Sequence, residues 1–174
     1  MNSIIPVIPP SQEEVLAALR ILGIDPEDLR CAYCGDRASE WDHLRPLVVN
    51  RRPTGFISEI ANLVPSCGKC NQSKGNQNWR AWMLGKAYLS PATRGVADLA
   101  QRVQRLEEYE KRQEVLPIDF EAIVGPEAWA RYWEDCESVV TALRQSQELA
   151  NKLKAEILAA ARGRPTPGPG GTPA

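Results

Sequence analysis

The sequence predicts an α+β fold, mainly α, in which a small core held by paired cysteines carries a helix before it and a helical hairpin after it. Three observations predict it. Four of the five cysteines fall into two C-x2-C pairs, Cys31-Ala32-Tyr33-Cys34 and Cys67-Gly68-Lys69-Cys70. Short β-patterned runs lie between the pairs, and helical periodicity dominates both flanks. At 43% hydrophobic and 25% charged residues, the 174-residue chain has an ordinary globular composition.

Each element follows from local chemistry. Ser11-Gln12-Glu13-Glu14 reads as a capping box. Val15, Leu16, Leu19 and Leu22 then recur at helical spacing, and Gly23 stops the helix. Asp25-Pro26 starts a short turn into the first cysteine pair. Residues 38–66 predict two short strands, near Glu40–Leu44 and Ala61–Val64, around a loop containing Pro53-Thr54-Gly55. Helical patterns resume from Gly68 and over Trp79–Leu84. One long helix is expected over Thr93–Gln113, with Val96, Leu99, Val103 and Leu106 on one stripe. A short turn over Phe120–Val124 follows, and Gly125-Pro126 opens a helix reaching about Ala161. The stripe of this last helix, from Trp129 and Trp133 through Cys136, Val140 and Leu143 to Ile157, alternates three- and four-residue steps. That spacing suits packing against a neighbouring helix or a dimer seam. Residues 163–174 are rich in Pro and Gly and predict a disordered tail.

The cysteine spacing predicts chemistry as well as fold. A C-x2-C turn presents two thiolates to one edge of a metal ion, and two such turns complete a closed tetrahedral zinc site on Cys31, Cys34, Cys67 and Cys70. The 32 residues between Cys34 and Cys67 leave room for a folded unit between the knuckles. Two disulfides or buried thiols are the alternative. The first residues have no basic start and are broken by prolines, so they make a poor secretory signal. No apolar run approaches the roughly 18 residues of a membrane helix. A cytoplasmic, reducing location is therefore expected, and it favours zinc. Cys136 stands alone and reads as a small core residue.

A net charge of −1 argues at first against a nucleic-acid partner. Residues 31–95, however, hold nine basic and four acidic groups, a balance of +5, between two flanks of −3 each. The segment with the paired cysteines is thus the one suited to approach a polyanion. The chain has a single histidine, His43, which excludes multi-histidine metal centres and relays.

Between the knuckles stand Glu40-Trp41-Asp42-His43-Leu44-Arg45-Pro46-Leu47 and Ile60-Ala61-Asn62-Leu63-Val64-Pro65, and after them Asn71-Gln72-Ser73-Lys74-Gly75-Asn76. The order C-x2-C, D-H, N-L-V, C-x2-C-N, K-G-N resembles the HNH endonucleases of the ββα-metal group, over about Cys31–Trp82. The resemblance implies a zinc-stabilised ββα-metal core that hydrolyses phosphodiester bonds of DNA with Mg2+ or Mn2+, leaving 5′-phosphate and 3′-hydroxyl ends. A neutral imidazole is the most accessible general base at pH 7, and His43 alone offers one.

Asp42 and Asn71 are the candidate ligands of the catalytic ion. Neighbours on a regular strand face opposite sides, so Asp42 and His43 share a site only if the strand ends or bulges there. The other reading of Asp42 is a hydrogen bond to the site's surroundings; that of Asn71 is a helix-start cap. Many members of the family carry His where Asn71 stands, so the signature here is H-N-N. Asn62 is expected to hold the loop between the strands through its amide and so orient His43. Arg45, Arg51, Arg52 and Lys74 are candidate phosphate contacts.

The expected organisation is an N-terminal helical segment over 1–30, a nuclease core over 31–95, a hairpin for dimerisation or DNA reading over 96–162, and a tail over 163–174. Restriction and phage-related roles fit this reading. The alternatives are a zinc-stabilised DNA-binding module without cleavage, and an interaction protein that works through the hairpin.

Overall fold

The computed structural model describes residues 4–162, so the expected disordered tail lies outside the described residues. The chain divides into two compact units, with the boundary between Asp119 and Phe120. The fold is α+β and mainly helical.

In the first unit, α1 spans Gln12–Leu22. Its capping box forms as expected: Glu14 N donates to Ser11 Oγ at 3.2 Å, and Ser11 N donates to Glu14 Oε2 at 2.7 Å. Gly23 closes the helix at φ 64°, in the left-handed region that favours glycine. Two strands follow the first knuckle, β1 over Glu40–His43 and, after a 48–53 hairpin, an antiparallel partner over Leu63–Ser66. The hairpin strands are β2 (Val48–Val49) and β3 (Arg52–Pro53), which makes the long partner β4. In the β1–β4 pair, Asp42 faces Val64 and His43 faces Leu63. Three helices complete the unit: α2 (Gly68–Lys74), α3 (Trp79–Leu84) and α4 (Leu99–Gln113).

The core joins all of these. Ala18 and Leu22 of α1 meet Val103, Leu106 and Tyr109 of α4, and Leu44, Val64, Trp79, Trp82 and Met83 fill the space below. Tyr33 packs edge-on to Trp82, ring centroids 5.2 Å apart.

The structure differs from the sequence expectation in four places. The strand expected at Ala61–Val64 begins two residues later, because Ile60–Asn62 form a 3-10 turn in which the Asn62 side chain binds neighbouring backbone. The loop between the long strands contains the β2–β3 hairpin. Its turn residues Asn50 and Arg51 both have positive φ, 51° and 66°, the signature of a tight I′ turn. The helix expected from Thr93 starts at Leu99, because Gly95 at φ 66° breaks the run and Val96 N turns back to Pro91 O. Finally, the division falls after Asp119, not at 95/96. The buried stripe of α4 belongs to the first unit's core, where it packs on α1 and the Ile60–Asn62 turn.

The second unit holds α5 (Phe120–Val124) and the 37-residue α6 (Pro126–Arg162). Pro126 supplies a first-turn residue whose missing N–H costs nothing there. Phe120, Trp129 and Trp133 form a chain of edge-on contacts, and Cys136 and Val140 are half-buried. Beyond them the stripe is open to solvent, with Leu143 65% and Ile157 67% exposed. Among the described residues no helix is long and apolar enough to cross a membrane.

Candidate active site and cysteine cluster

The two knuckles bring Cys31, Cys34, Cys67 and Cys70 together, with all four Sγ atoms within 4.8 Å of one another. All four cysteines are free thiols. A tetrahedral zinc ion with bonds of about 2.3 Å sets its sulfurs roughly 3.8 Å apart. The Cys34 and Cys67 Sγ atoms are 3.7 Å apart, so the donor set fits zinc in both chemistry and spacing. Hydrogen bonds from Cys34 and Cys70 pull the Cys31 thiol down to about 3, while hydrogen bonds to Cys31 and Cys34, together with burial, push Cys70 up. Cys31 thus favours its thiolate, while Cys70 holds its proton unless a cation takes its place.

Two arginines reinforce the cluster from beyond the second knuckle. Arg94 donates to Cys70 Sγ at 3.5 Å and to Asp36 Oδ2 at 2.7 Å. Arg102 donates to the Cys31 carbonyl at 3.1 Å. Gly35 has φ 82°, a left-handed conformation that favours glycine, and a Cβ there would push the Arg102 guanidinium aside.

The strand β1 separates two environments. Asp42 points toward α2 and is buried. Tyr33 donates to its Oδ2 at 2.6 Å, and Lys74 Nζ lies 3.0 Å from Oδ2 and 3.3 Å from Oδ1. Lys74 is only 1% exposed and also donates to the carbonyls of His43 (2.8 Å) and Gly75 (3.3 Å). Burial beside the Asp42 charge holds the Tyr33 phenol well above its usual range, so it stays protonated and donating. One turn earlier on α2, the Asn71 amide donates to Glu40, the residue two before Asp42 on the same strand face.

On the opposite face, the His43 ring lies with Nε2 2.9 Å from Ser58 Oγ. The imidazole sits below its ordinary value, chiefly because burial disfavours its cation. Lys74 adds to that effect and Asp42 opposes it. The neutral ring is therefore the prevailing form at pH 7.

Asn62 is fully buried between the strands. Its Oδ1 accepts from Arg45 N at 2.8 Å, and its Nδ2 donates to the carbonyls of Arg45 (3.0 Å) and Ile57 (3.4 Å). The amide thereby ties the backbone just past His43 to the end of the hairpin loop. Tyr109 of α4 anchors the same turn, its hydroxyl 2.6 Å from Ile60 O and 3.0 Å from Leu63 O.

Residues 31–77 match the family model of the HNH endonuclease. The match spans both knuckles, β1, β4 and α2. The CRISPR-associated endonuclease Cas9 of Corynebacterium diphtheriae is 37% identical over 67 residues, covering 36% of this chain and 6% of that protein. The chain thus matches only a small fraction of that relative's length. No solved structure matches.

Several expected roles within the HNH segment change. Asp42 and Asn71 both bond to neighbouring side chains: the Asp42 oxygens are engaged by Lys74 or Tyr33, and the Asn71 amide is turned onto Glu40. Strand alternation is the cause, since it places Asp42 on the α2 face and His43 on the other. Lys74 is not a phosphate contact in this arrangement, because it is buried against Asp42. Arg45 is also occupied: it pairs with Glu110 at 3.2 Å and stacks over Phe56 at 5.5 Å. Arg51 and Arg52 lie exposed on the hairpin. Sequence reasoning missed Ser58, Tyr33 and Tyr109, whose partners are 9 to 49 residues away.

Proposed function

We propose that the HNH domain hydrolyses phosphodiester bonds of DNA, with His43 as general base. The observation that carries this reading is the position of His43: the chain's one histidine, neutral, half-buried at the end of β1 and inside the HNH match. Hydrolysis needs an activated water and charge stabilisation around phosphorus. The imidazole accepts the water's proton, and Asn62 positions the loop that follows the base. The Corynebacterium relative, itself an endonuclease, supports the same class.

Zinc on Cys31, Cys34, Cys67 and Cys70 cross-links the two knuckles. A divalent ion, Mg2+ or Mn2+, is the cofactor that HNH chemistry implies. Asp42, the carboxylate nearest His43 in the chain, is engaged by Lys74 and Tyr33. For the DNA backbone we propose Arg51 and Arg52 on the hairpin. Arg37 and Lys69, which line a separate groove of about 720 Å3 beside the knuckles, are two further candidates. A restriction or phage-related role and a cytoplasmic location with reduced thiols complete the reading. Pairing of two copies along the α6 stripe would bring two active sites to one duplex, as a double-strand break needs. Mass measurement in solution tests that pairing.

The test of function is nicking of supercoiled plasmid with Mg2+ or Mn2+. The wild type is expected to nick, and His43→Ala to lose on the order of 10²–10⁴ in rate. Equal nicking by both would reject His43 as base. The locked Asp42–Lys74 pair favours a second reading, a DNA-binding module that binds in a salt-dependent way and cuts with no divalent ion.

A further inference from the structure

The His43 ring is held by a residue whose own backbone is clamped by the N-terminal segment. Nε2 lies 2.9 Å from Ser58 Oγ. Ser58 N donates to Pro6 O at 3.1 Å, and Ser58 O accepts from Ile8 N at 2.8 Å, with Val7 bridging Ser58 in parallel between them. Ile5 anchors the segment in the core at 7% exposure, while Val7 and Ile8 remain 70% and 52% exposed. Burial therefore does not explain why residues 6–8 lie where they do. Their two backbone bonds to Ser58 do. These residues lie outside the HNH match at 31–77, whereas Ser58 and His43 lie inside it.

We propose that Ser58 is the positioning residue for His43 and that the Ile5–Ile8 segment is a strap that fixes Ser58 for this purpose. A ring nitrogen bonded to Ser58 is not open to water, so the basic atom facing the reaction is Nδ1. A base must hold its lone pair there, which puts the ring proton on Nε2 and makes the Ser58 hydroxyl its acceptor. Ser58 thus selects one tautomer and one ring orientation. Asp42 does not serve this purpose, because its carboxylate lies on the far face with Tyr33 and Lys74. The tautomer and its catalytic meaning rest on the function proposed above, whereas the backbone clamp on Ser58 does not.

The single histidine makes the test direct, since a 15N-histidine label in the full chain gives one imidazole spectrum. The wild type is expected to show a ring proton on Nε2 that survives exchange with water. Ser58→Ala is expected to lose that signal to exchange, and its kcat for plasmid nicking to fall on the order of tenfold to a hundredfold with KM little changed. Ser58→Thr keeps the hydroxyl and should keep both properties. Ile8→Pro removes the N–H that donates to Ser58 O, at a residue half-exposed and followed by two prolines, and should give intermediate protection. A wild-type proton on Nδ1, or unchanged protection and kcat in Ser58→Ala, would overturn the proposal. If the wild type does not cut DNA, the function fails while the ring spectra of wild type and Ile8→Pro still decide the strap.

Discussion

The two faces of β1 carry adjacent residues with opposite environments. On one face Asp42 is buried among Tyr33, Lys74 and the α2 helix, with its charge fully compensated. On the other, His43 is half-buried, uncharged, and fixed through one ring nitrogen to Ser58. The difference teaches that the D-H pair divides its labour. The aspartate face locks α2 to β1 through a buried ion pair, and the histidine face carries the ring to which the proposed function assigns the base. One carboxylate and one lysine that read as an ion ligand and a phosphate contact are used for architecture.

Breaking both faces at once has the largest expected effect. Stripping zinc with a chelator, or Cys67→Ser, should unfold the first unit, since structural zinc in such knuckles contributes on the order of 10 kcal/mol. Circular dichroism with and without added zinc checks this; unchanged thermal unfolding would contradict it. Breaking only the aspartate face comes next. Lys74→Met leaves Asp42 buried without its counter-charge and should cost about 3–5 kcal/mol, read by urea unfolding. Asn62→Ala strips partners from the Arg45 N–H and the Arg45 and Ile57 carbonyls. About 1–3 kcal/mol is expected there, together with slower nicking, because the backbone after His43 loosens. The smallest stability effect belongs to the histidine face. His43→Ala should change urea stability by less than about 1 kcal/mol while removing the activity. A large loss of stability in His43→Ala, or none in Lys74→Met, would erase the distinction between the faces.

What the sequence made legible follows from local chemistry. The knuckles, the α1 capping box, the helices after Gly68 and at Trp79, and the start of the long helix at Pro126 rest on spacing or turn residues within a few positions. The HNH pattern named His43, Asn62 and the cysteines for the same reason. What stayed hidden depends on long-range partners. Lys74 and Arg45 look like solvated cations, and only the fold shows them against Asp42 and Glu110. Ser58 is an unremarkable loop serine until the strand end and the 5–8 segment meet around it. The stripes of α4 and α6 read alike, yet α4 is buried on α1 while most of α6's stripe is exposed. Periodicity identifies a helical face but not what covers it.

The pH dependence of plasmid nicking tests the central claim most directly. Burial and the Lys74 charge hold the His43 imidazole below its ordinary value of about 6.5, so the ring stays neutral and basic down to and somewhat below that pH. The same shift makes protonation favour the unfolded chain, so any loss of stability from this group also begins only as pH falls below about 6.5. The account predicts a wild-type nicking rate that is level from pH 8 to about 6.5 and falls at lower pH, with no such acid limb in the residual activity of His43→Ala. A wild-type rate already falling between pH 8 and 7, or the same acid limb in His43→Ala, would contradict it.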